Sequence, residues 1–193
     1  MSEKVIVIRF FKPYGVLTRF TDSEGRPTLG DYIDIPNIYA AGRLDMDSEG
    51  LLILTNHKAL NRRLTEPRFA HPRTYLVQVE RVPDQTALEN LRKGVEIQGY
   101  KTRPAQVSLL EHEPELPERN PPIRFRKNVP TAWLEMTLTE GKNRQVRRMT
   151  AAVGHPTLRL VRCRIETVTL EGLRPGEWKP LTADEKKALF ERL

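Results

Sequence analysis

Apolar and polar positions along this chain follow two rhythms, a period of two and a period near 3.6, and Pro, Gly and Asn mark the changes between them. Val5–Phe10 is an apolar run that Lys12-Pro13-Tyr14-Gly15 ends in a turn, so a first strand is expected there. Thr28–Ile33 fits a short helix closed by Ile35-Pro36-Asn37. Leu51–Thr55 is a short, continuous apolar run, as in a strand buried on both faces. Asn56–Leu64 reads as a helix with Asn56 as N-cap and Pro67 beyond its end. From Thr74 to Glu80 the pattern alternates, which puts Tyr75, Val77 and Val79 on one face of a strand. Asp84–Lys93 is the next helix, capped by Asp84 and stopped by Gly94. Leu134, Met136 and Leu138 line one face of a further strand. Asn143–Val153 is then helical, Thr157–Leu170 supplies one or two strands, and Asp184–Leu193 closes the chain as a helix.

Strands outnumber helices here without a strict βαβ alternation. The expected class is therefore α+β, with a mixed, mainly antiparallel central sheet flanked by helices. The chain is 193 residues long, which suits one functional domain, 1–193, with a lobe boundary near Pro67–Pro72 that gives lobes 1–71 and 72–193. Between Glu111 and Pro130 five prolines and many charges mark a long surface loop or arm.

Composition narrows the setting. No apolar run approaches the ~20 residues that cross a bilayer, so no membrane partner is expected, and the charged opening Met1-Ser2-Glu3-Lys4 before a short apolar run does not make a signal peptide. A lone cysteine, Cys163, excludes an internal disulfide and points to a reducing cytoplasm. The four histidines lack metal-ligand spacing, so no structural metal is expected.

A net charge of +7 favours a polyanionic partner, and its clustering strengthens the point. Between Gly141 and Arg164 stand seven Lys or Arg residues (Lys142, Arg144, Arg147, Arg148, Arg159, Arg162, Arg164) and no Asp or Glu. On the Asn143–Val153 helix, Val146, Met149 and Val153 share one face, and Arg144, Arg147 and Arg148 the opposite one. A solvated charged face is the plain reading. With no acid inside the segment, the arginines must find a distant carboxylate or phosphates, and arginine suits both. The N-terminus of that helix would also favour an anion.

The stretch Gly42-Arg43-Leu44-Asp45-Met46-Asp47-Ser48-Glu49-Gly50-Leu51-Leu52 carries three carboxylates in five residues between two apolar segments. An Asx-turn, with Asp45 and Ser48 capping backbone amides, accounts for it structurally. A calcium loop starting at Asp45 fails at its twelfth position, which is Asn56 where a bidentate Glu is needed. Paired acid and base carboxylates are disfavoured because i and i+2 on an extended segment point to opposite sides. One working carboxylate, Asp45, with Asp47 and Glu49 in support, remains.

Taken in order, Phe11-Lys12-Pro13-Tyr14-Gly15-Val16-Leu17, Gly42-Arg43-Leu44-Asp45, Arg73-Thr74-Tyr75-Leu76-Val77, Glu140-Gly141-Lys142-Asn143-Arg144-Gln145-Val146-Arg147-Arg148-Met149 and Leu158-Arg159-Leu160-Val161-Arg162 resemble the pseudouridine synthases of ribosomal RNA that comprise the A type, specific for the small subunit, with the B, E and F types, specific for the large one. The resemblance covers nearly the whole chain. Its opening on the first catalytic strand, with no leading RNA-binding module, is similar to the short E type. Met46 departs from the charged residue frequent in relatives, and Asn143-Arg144 from a Tyr-His pair. Both departures bear on RNA contacts more than on chemistry.

The resemblance implies the pseudouridine synthase fold, two lobes with a catalytic cleft, acting as a monomer on ribosomal RNA, 23S in the E type, without cofactor or metal. It implies that Asp45 is the essential carboxylate acting on the ribose of a flipped-out uridine, that Arg147 is the basic residue pairing with it, and that Tyr75 stacks the displaced base. Leu160 would wall the pocket, while Lys12, Arg43, Lys142, Arg144, Arg148 and Arg162 would hold the RNA. Two other readings stay open at this point. A non-catalytic RNA-binding assembly factor would use the same basic surface, and a metal-dependent nuclease would use Asp45, Asp47 and Glu49.

Overall fold

The computed structural model describes residues 4–123 and 129–192. Three of the expectations above fall partly or wholly outside them: the extreme N-terminus (1–3), part of the 111–130 stretch (124–128) and the last residue of the C-terminal helix (193). In chain order the elements are β1 (Val7–Lys12), β2 (Tyr39–Ala40), β3 (Glu49–Thr55), α1 (Lys58–Thr65), β4 (Arg73–Glu80), α2 (Gln85–Lys93), β5 (Glu96–Ile97), β6 (Tyr100–Lys101), β7 (Gln106–Leu109), β8 (Thr131–Leu138), α3 (Gln145–Ala152), β9 (Thr157–Ile165), β10 (Val168–Thr169), β11 (Trp178–Pro180) and α4 (Ala183–Arg192). Short 3-10 turns stand at Leu29–Asp31 and Pro67–Phe69.

The chain divides into two units, Met1–His71 with Cys163–Leu193, and Pro72–Arg162. The boundary after residue 71 is where the proline-rich step placed it, but the C-terminal segment returns to the first unit instead of staying with the second. His71 shows why. Its Nδ1 lies 2.7 Å from Glu166 Oε1 and its Nε2 lies 3.0 Å from the Arg63 carbonyl oxygen, so the returning segment is tied to the end of the first one.

In the first unit β1 pairs antiparallel with β3 on one side and β11 on the other, β2 adds to β3, and β10 folds back on the end of β9. The apolar run of β3 is buried on both faces, as its lack of alternation requires. Leu51 and Ile53 pack with Leu60 and Leu64 of α1 and Leu189 of α4, whereas Leu52 and Leu54 pack with Ile8, Phe10, Leu29 and Ile33. Each such side chain stabilises the fold by about 1.5–3 kcal/mol. The turn at Leu29–Asp31 is a capping box: Thr28 Oγ1 accepts from the Gly30 amide and Asp31 Oδ2 from the Thr28 amide.

One cap differs from expectation. α1 begins a residue or two later than the sequence pattern suggests, and its N-cap is His57, whose Nδ1 accepts the Leu60 amide at 3.0 Å. Asn56 is engaged elsewhere, accepting from the Ile6 amide at 2.8 Å and donating to the Lys4 carbonyl at 3.0 Å. A cap that also has to secure β1 is a tertiary choice that local pattern does not reveal.

In the second unit β8 lies between β4 and β7, both antiparallel to it, and β4 also neighbours β9. Tyr75, Val77 and Val79 on β4 and Leu134, Met136 and Leu138 on β8 point into one core with Leu88 and Leu91 of α2 and Val146 and Met149 of α3. α2 starts on Asp84, whose carboxylate accepts the Ala87 amide at 2.7 Å. It stops at Gly94, where φ is +89° and a Cβ would come within 2.2 Å of the Thr102 carbonyl oxygen, so only glycine fits. β5 and β6 form a two-residue hairpin through Gln98 and Gly99, both at positive φ.

Candidate active site

The Asp45 segment is shaped by its neighbours in the first unit. Gly42, at φ +94°, turns the chain out of β2, and Leu44 is then held from both sides by Thr18, whose hydroxyl donates to the Leu44 carbonyl at 2.7 Å and accepts its amide at 3.2 Å. The Gly15 amide donates to the Met46 carbonyl at 2.8 Å, and the Ser48 amide to the Asp45 carbonyl at 3.0 Å. Asp45 therefore opens a tight turn whose backbone is pinned at Leu44, Met46 and Ser48. It is the Asp45 carbonyl that closes this turn, and the buried Ser48 hydroxyl makes no hydrogen bond among the described residues, so Ser48 does not cap it. Asp45 and Asp47 are half-buried, Arg43 is exposed and Glu49 is buried. Among the described residues no three His, Cys, Asp or Glu side chains gather as they would around a metal ion.

Lys12 departs from the phosphate-binding role expected of it. Its side chain is fully buried (0% exposed), and Nζ donates to the Pro13 and Val16 carbonyls, each at 2.8 Å. It closes the turn that carries Gly15, and through Gly15 it supports the Asp45 segment.

The second unit holds the other predicted residues, and it brings several together. On α3, Val146 and Met149 are buried as expected, Arg147 and Arg148 are half-buried and Arg144 is exposed. α3 is shorter than the apolar pattern suggested: it begins at Gln145, because Arg144 adopts φ +51° and ends the preceding loop, and Val153 is its C-cap. Arg147 Nη1 donates to the Thr157 carbonyl at 3.4 Å, and Arg148 Nη2 to Asn143 Oδ1 at 2.8 Å. Tyr75 and Leu160 are buried in the same core.

Arg162 also differs from expectation, being 3% exposed where an RNA-facing cation was expected. Burial lowers its pKa, a hydrogen bond and charge interaction with Tyr75 work in the opposite direction, and Arg73 adds to the lowering. Arg162 is thus the partner of the Tyr75 hydroxyl. Arg159 is likewise buried, donating to the Pro117 carbonyl at 2.8 Å, which anchors the proline-rich segment on β9.

A group that the sequence reading passed over stands at the entry to α3. Glu140, 6% exposed, receives three hydrogen bonds: the Tyr100 hydroxyl at 2.6 Å, the Arg103 amide at 2.8 Å and the Gln145 side-chain amide at 2.6 Å. Gln145 in turn accepts the Lys142 amide at 2.9 Å, and the Lys142 ammonium lies 4.4 Å from the centre of the Tyr100 ring. Burial raises the Glu140 carboxyl, but Tyr100, Arg103 and Gln145 outweigh it and hold the group below the ordinary carboxylate range. The signal was present as an isolated acid at the head of a purely basic segment.

Comparison with known proteins agrees with this arrangement. The RNA pseudouridylate synthase family matches residues 6–152. A ribosomal large subunit pseudouridine synthase E of Vibrio vulnificus (strain CMCP6) is 54% identical over 94% of this chain and 77% of its own. The protein so named in Xanthomonas axonopodis pv. citri (strain 306) is 57% identical over 85% of this chain and 87% of its own. A crystal structure of a pseudouridylate synthase superposes with a TM-score of 0.81 at 28% identity, covering 97% of this chain and 74% of that one. A pinned aspartate turn, a buried tyrosine–arginine pair and an arginine helix, carried on this fold and in this order, place the chain in the RNA pseudouridylate synthase family of isomerases.

Proposed function

We propose that this enzyme converts one uridine of the 23S RNA of the large ribosomal subunit to pseudouridine, with Asp45 as the essential carboxylate. The observation that carries the substrate is the identity above 50% to two relatives named for the large subunit, extending over most of the chain. The basic segment from Lys142 to Arg164 suits such a partner, since phosphate contacts dominate affinity for RNA. A cytoplasmic location follows from that substrate.

In the proposed reaction the target nucleotide is flipped out. The bond from C1′ to N1 breaks, the uracil turns, a bond from C1′ to C5 forms, the C5 proton leaves and N1 gains one. Atoms and electrons balance without an oxidant or reductant. Asp45 acts on the ribose, Tyr75 provides the plate against which the loosened base stacks, and Leu160 walls the apolar side. Arg147 supplies the positive charge that keeps a carboxylate ionised in a dry site. Arg43, Lys142, Arg144 and Arg148 hold phosphates. Arg162 positions Tyr75, and Lys12 acts through the turn it closes.

The test is a pseudouridine map of ribosomal RNA from cells with and without the gene. One 23S position is expected to lose its modification in the deletion and to regain it when the wild-type gene is restored. Identical maps would overturn the proposal and favour a binding role.

A further inference from the structure

We infer that Glu140 is a positioning residue, a buried carboxylate clamp that fixes the first turn of α3 and thereby the direction of Arg147. This rests on the pseudouridine synthase reading above. α3 begins on a residue at positive φ, Arg144, that makes no side-chain capping bond, so its N-terminus lacks the usual Ser, Thr, Asp or Asn device. Gln145, buried at 4% exposure, replaces it by reaching backwards. Its Oε1 accepts the Lys142 amide at 2.9 Å and its Nε2 donates to Glu140 Oε1 at 2.6 Å. The same Oε1 takes the Arg103 amide at 2.8 Å, and Oε2 takes the Tyr100 hydroxyl at 2.6 Å. One carboxylate therefore joins the end of β8, the β5–β6 hairpin and the start of α3.

At its other end the helix is held by Thr150, whose hydroxyl lies 2.8 Å from that of Thr157, and Arg147 itself reaches the Thr157 carbonyl at 3.4 Å. Arg147 stands between these two fixed points, two residues beyond Gln145. Shifting the first turn re-aims its guanidinium, and misplacement of about 1 Å can lower a rate by about a hundredfold. The clamp also fixes the loop from Gly141 to Arg144, with Lys142 set over the Tyr100 ring at 4.4 Å.

Glutamine can replace Glu140 without dismantling the clamp. Its oxygen would accept from Arg103 and Gln145 as now, and its amide would donate to the Tyr100 oxygen. Alanine removes every bond. The experiment measures turnover by tritium release from RNA labelled at uridine C5, together with amide hydrogen exchange along α3. Glu140→Ala is expected to lower kcat by at least about tenfold, to change KM by less than about threefold and to speed exchange in the first turn of α3. Glu140→Gln is expected to restore kcat to within about threefold of wild type and to protect that turn again.

The inference is overturned if Glu140→Ala, folded by circular dichroism, keeps its kcat and its exchange pattern, or if Glu140→Gln falls as far as the alanine variant. Should the alanine variant not fold, Gln145→Leu carries the same two readouts and the same criteria. A wild-type enzyme that releases no tritium refutes the pseudouridine reading instead, and hydrogen exchange then still decides the clamp.

Discussion

Tyr75 on β4 and Arg162 on β9 share a hydrogen bond inside the second unit, with the guanidinium buried. An arginine keeps its proton across the whole working range, so a buried one needs oxygen acceptors held against it. The hydroxyl of Tyr75 is one of these, which gives a residue expected to stack a base a second duty. Tyr75→Phe keeps the ring and removes the oxygen. Its expected cost is about 1–3 kcal/mol in folding stability, measured by urea unfolding, with a separate loss of turnover. Unchanged stability would show that the pair is incidental.

Asp45→Asn retains the size and the backbone turn that Thr18, Gly15 and Ser48 maintain. Turnover should fall by at least about a thousandfold, as for loss of a reacting group. Binding to a 23S RNA fragment should stay within about threefold in a filter assay, because the side chain contributes no positive charge. A variant that still restores pseudouridine in deletion cells would remove Asp45 from the chemistry.

Much of the fold was legible from pattern alone, for identifiable reasons. Long periodic segments announced themselves: the unbroken apolar run of β3, the alternation of β4 and the Asp84-to-Gly94 frame of α2 each express one dominant local rule. β2, β5, β6 and β11 escaped because they are two or three residues long, too short for any period, and β7 because just one of its four residues, Val107, is buried. At the candidate site the acidic turn and the arginine helix were visible as types and spacings. Burial was not. Lys12, Arg159 and Arg162 have the composition of phosphate binders and the environment of interior anchors, which only tertiary partners decide. The Glu140 clamp was hidden for the same reason, since Tyr100 and Arg103 come from 40 and 37 residues away.

Salt dependence separates surface cations from interior ones. Arg144 and Lys142 are exposed, so Arg144→Ala and Lys142→Ala should each flatten the slope of log Kd against log salt by roughly 0.7–0.9, weakening affinity alike for matched and mismatched RNA. Lys12→Met should leave that slope unaltered and lower the melting temperature, because Nζ serves the Pro13 and Val16 carbonyls. A slope that flattens with Lys12→Met would return this lysine to the RNA-binding surface.

The clamp also predicts how stability depends on pH, with opposite signs at the two ends. Glu140 is held below its ordinary value of 4.5, despite a burial effect that raises it, by Tyr100, Arg103 and Gln145. The folded state therefore binds fewer protons there than the unfolded chain, so this contribution is complete above the ordinary value and is lost as pH falls through the lower, folded one. Tyr100 is raised above its ordinary value of 10.0, chiefly by its hydrogen bond to Glu140 and then by burial. The unfolded tyrosine ionises first, so its contribution is complete below the ordinary value and fades as pH climbs through the raised one. Comparing wild type with Glu140→Gln cancels the titration of carboxylates elsewhere, such as Asp22 beside Arg26. The difference in melting temperature between the two proteins should be widest near neutral pH and shrink on the acid side as Glu140 takes up its proton. A difference that stays flat from neutral pH down to acid would show that the Glu140 charge contributes nothing to holding the start of α3.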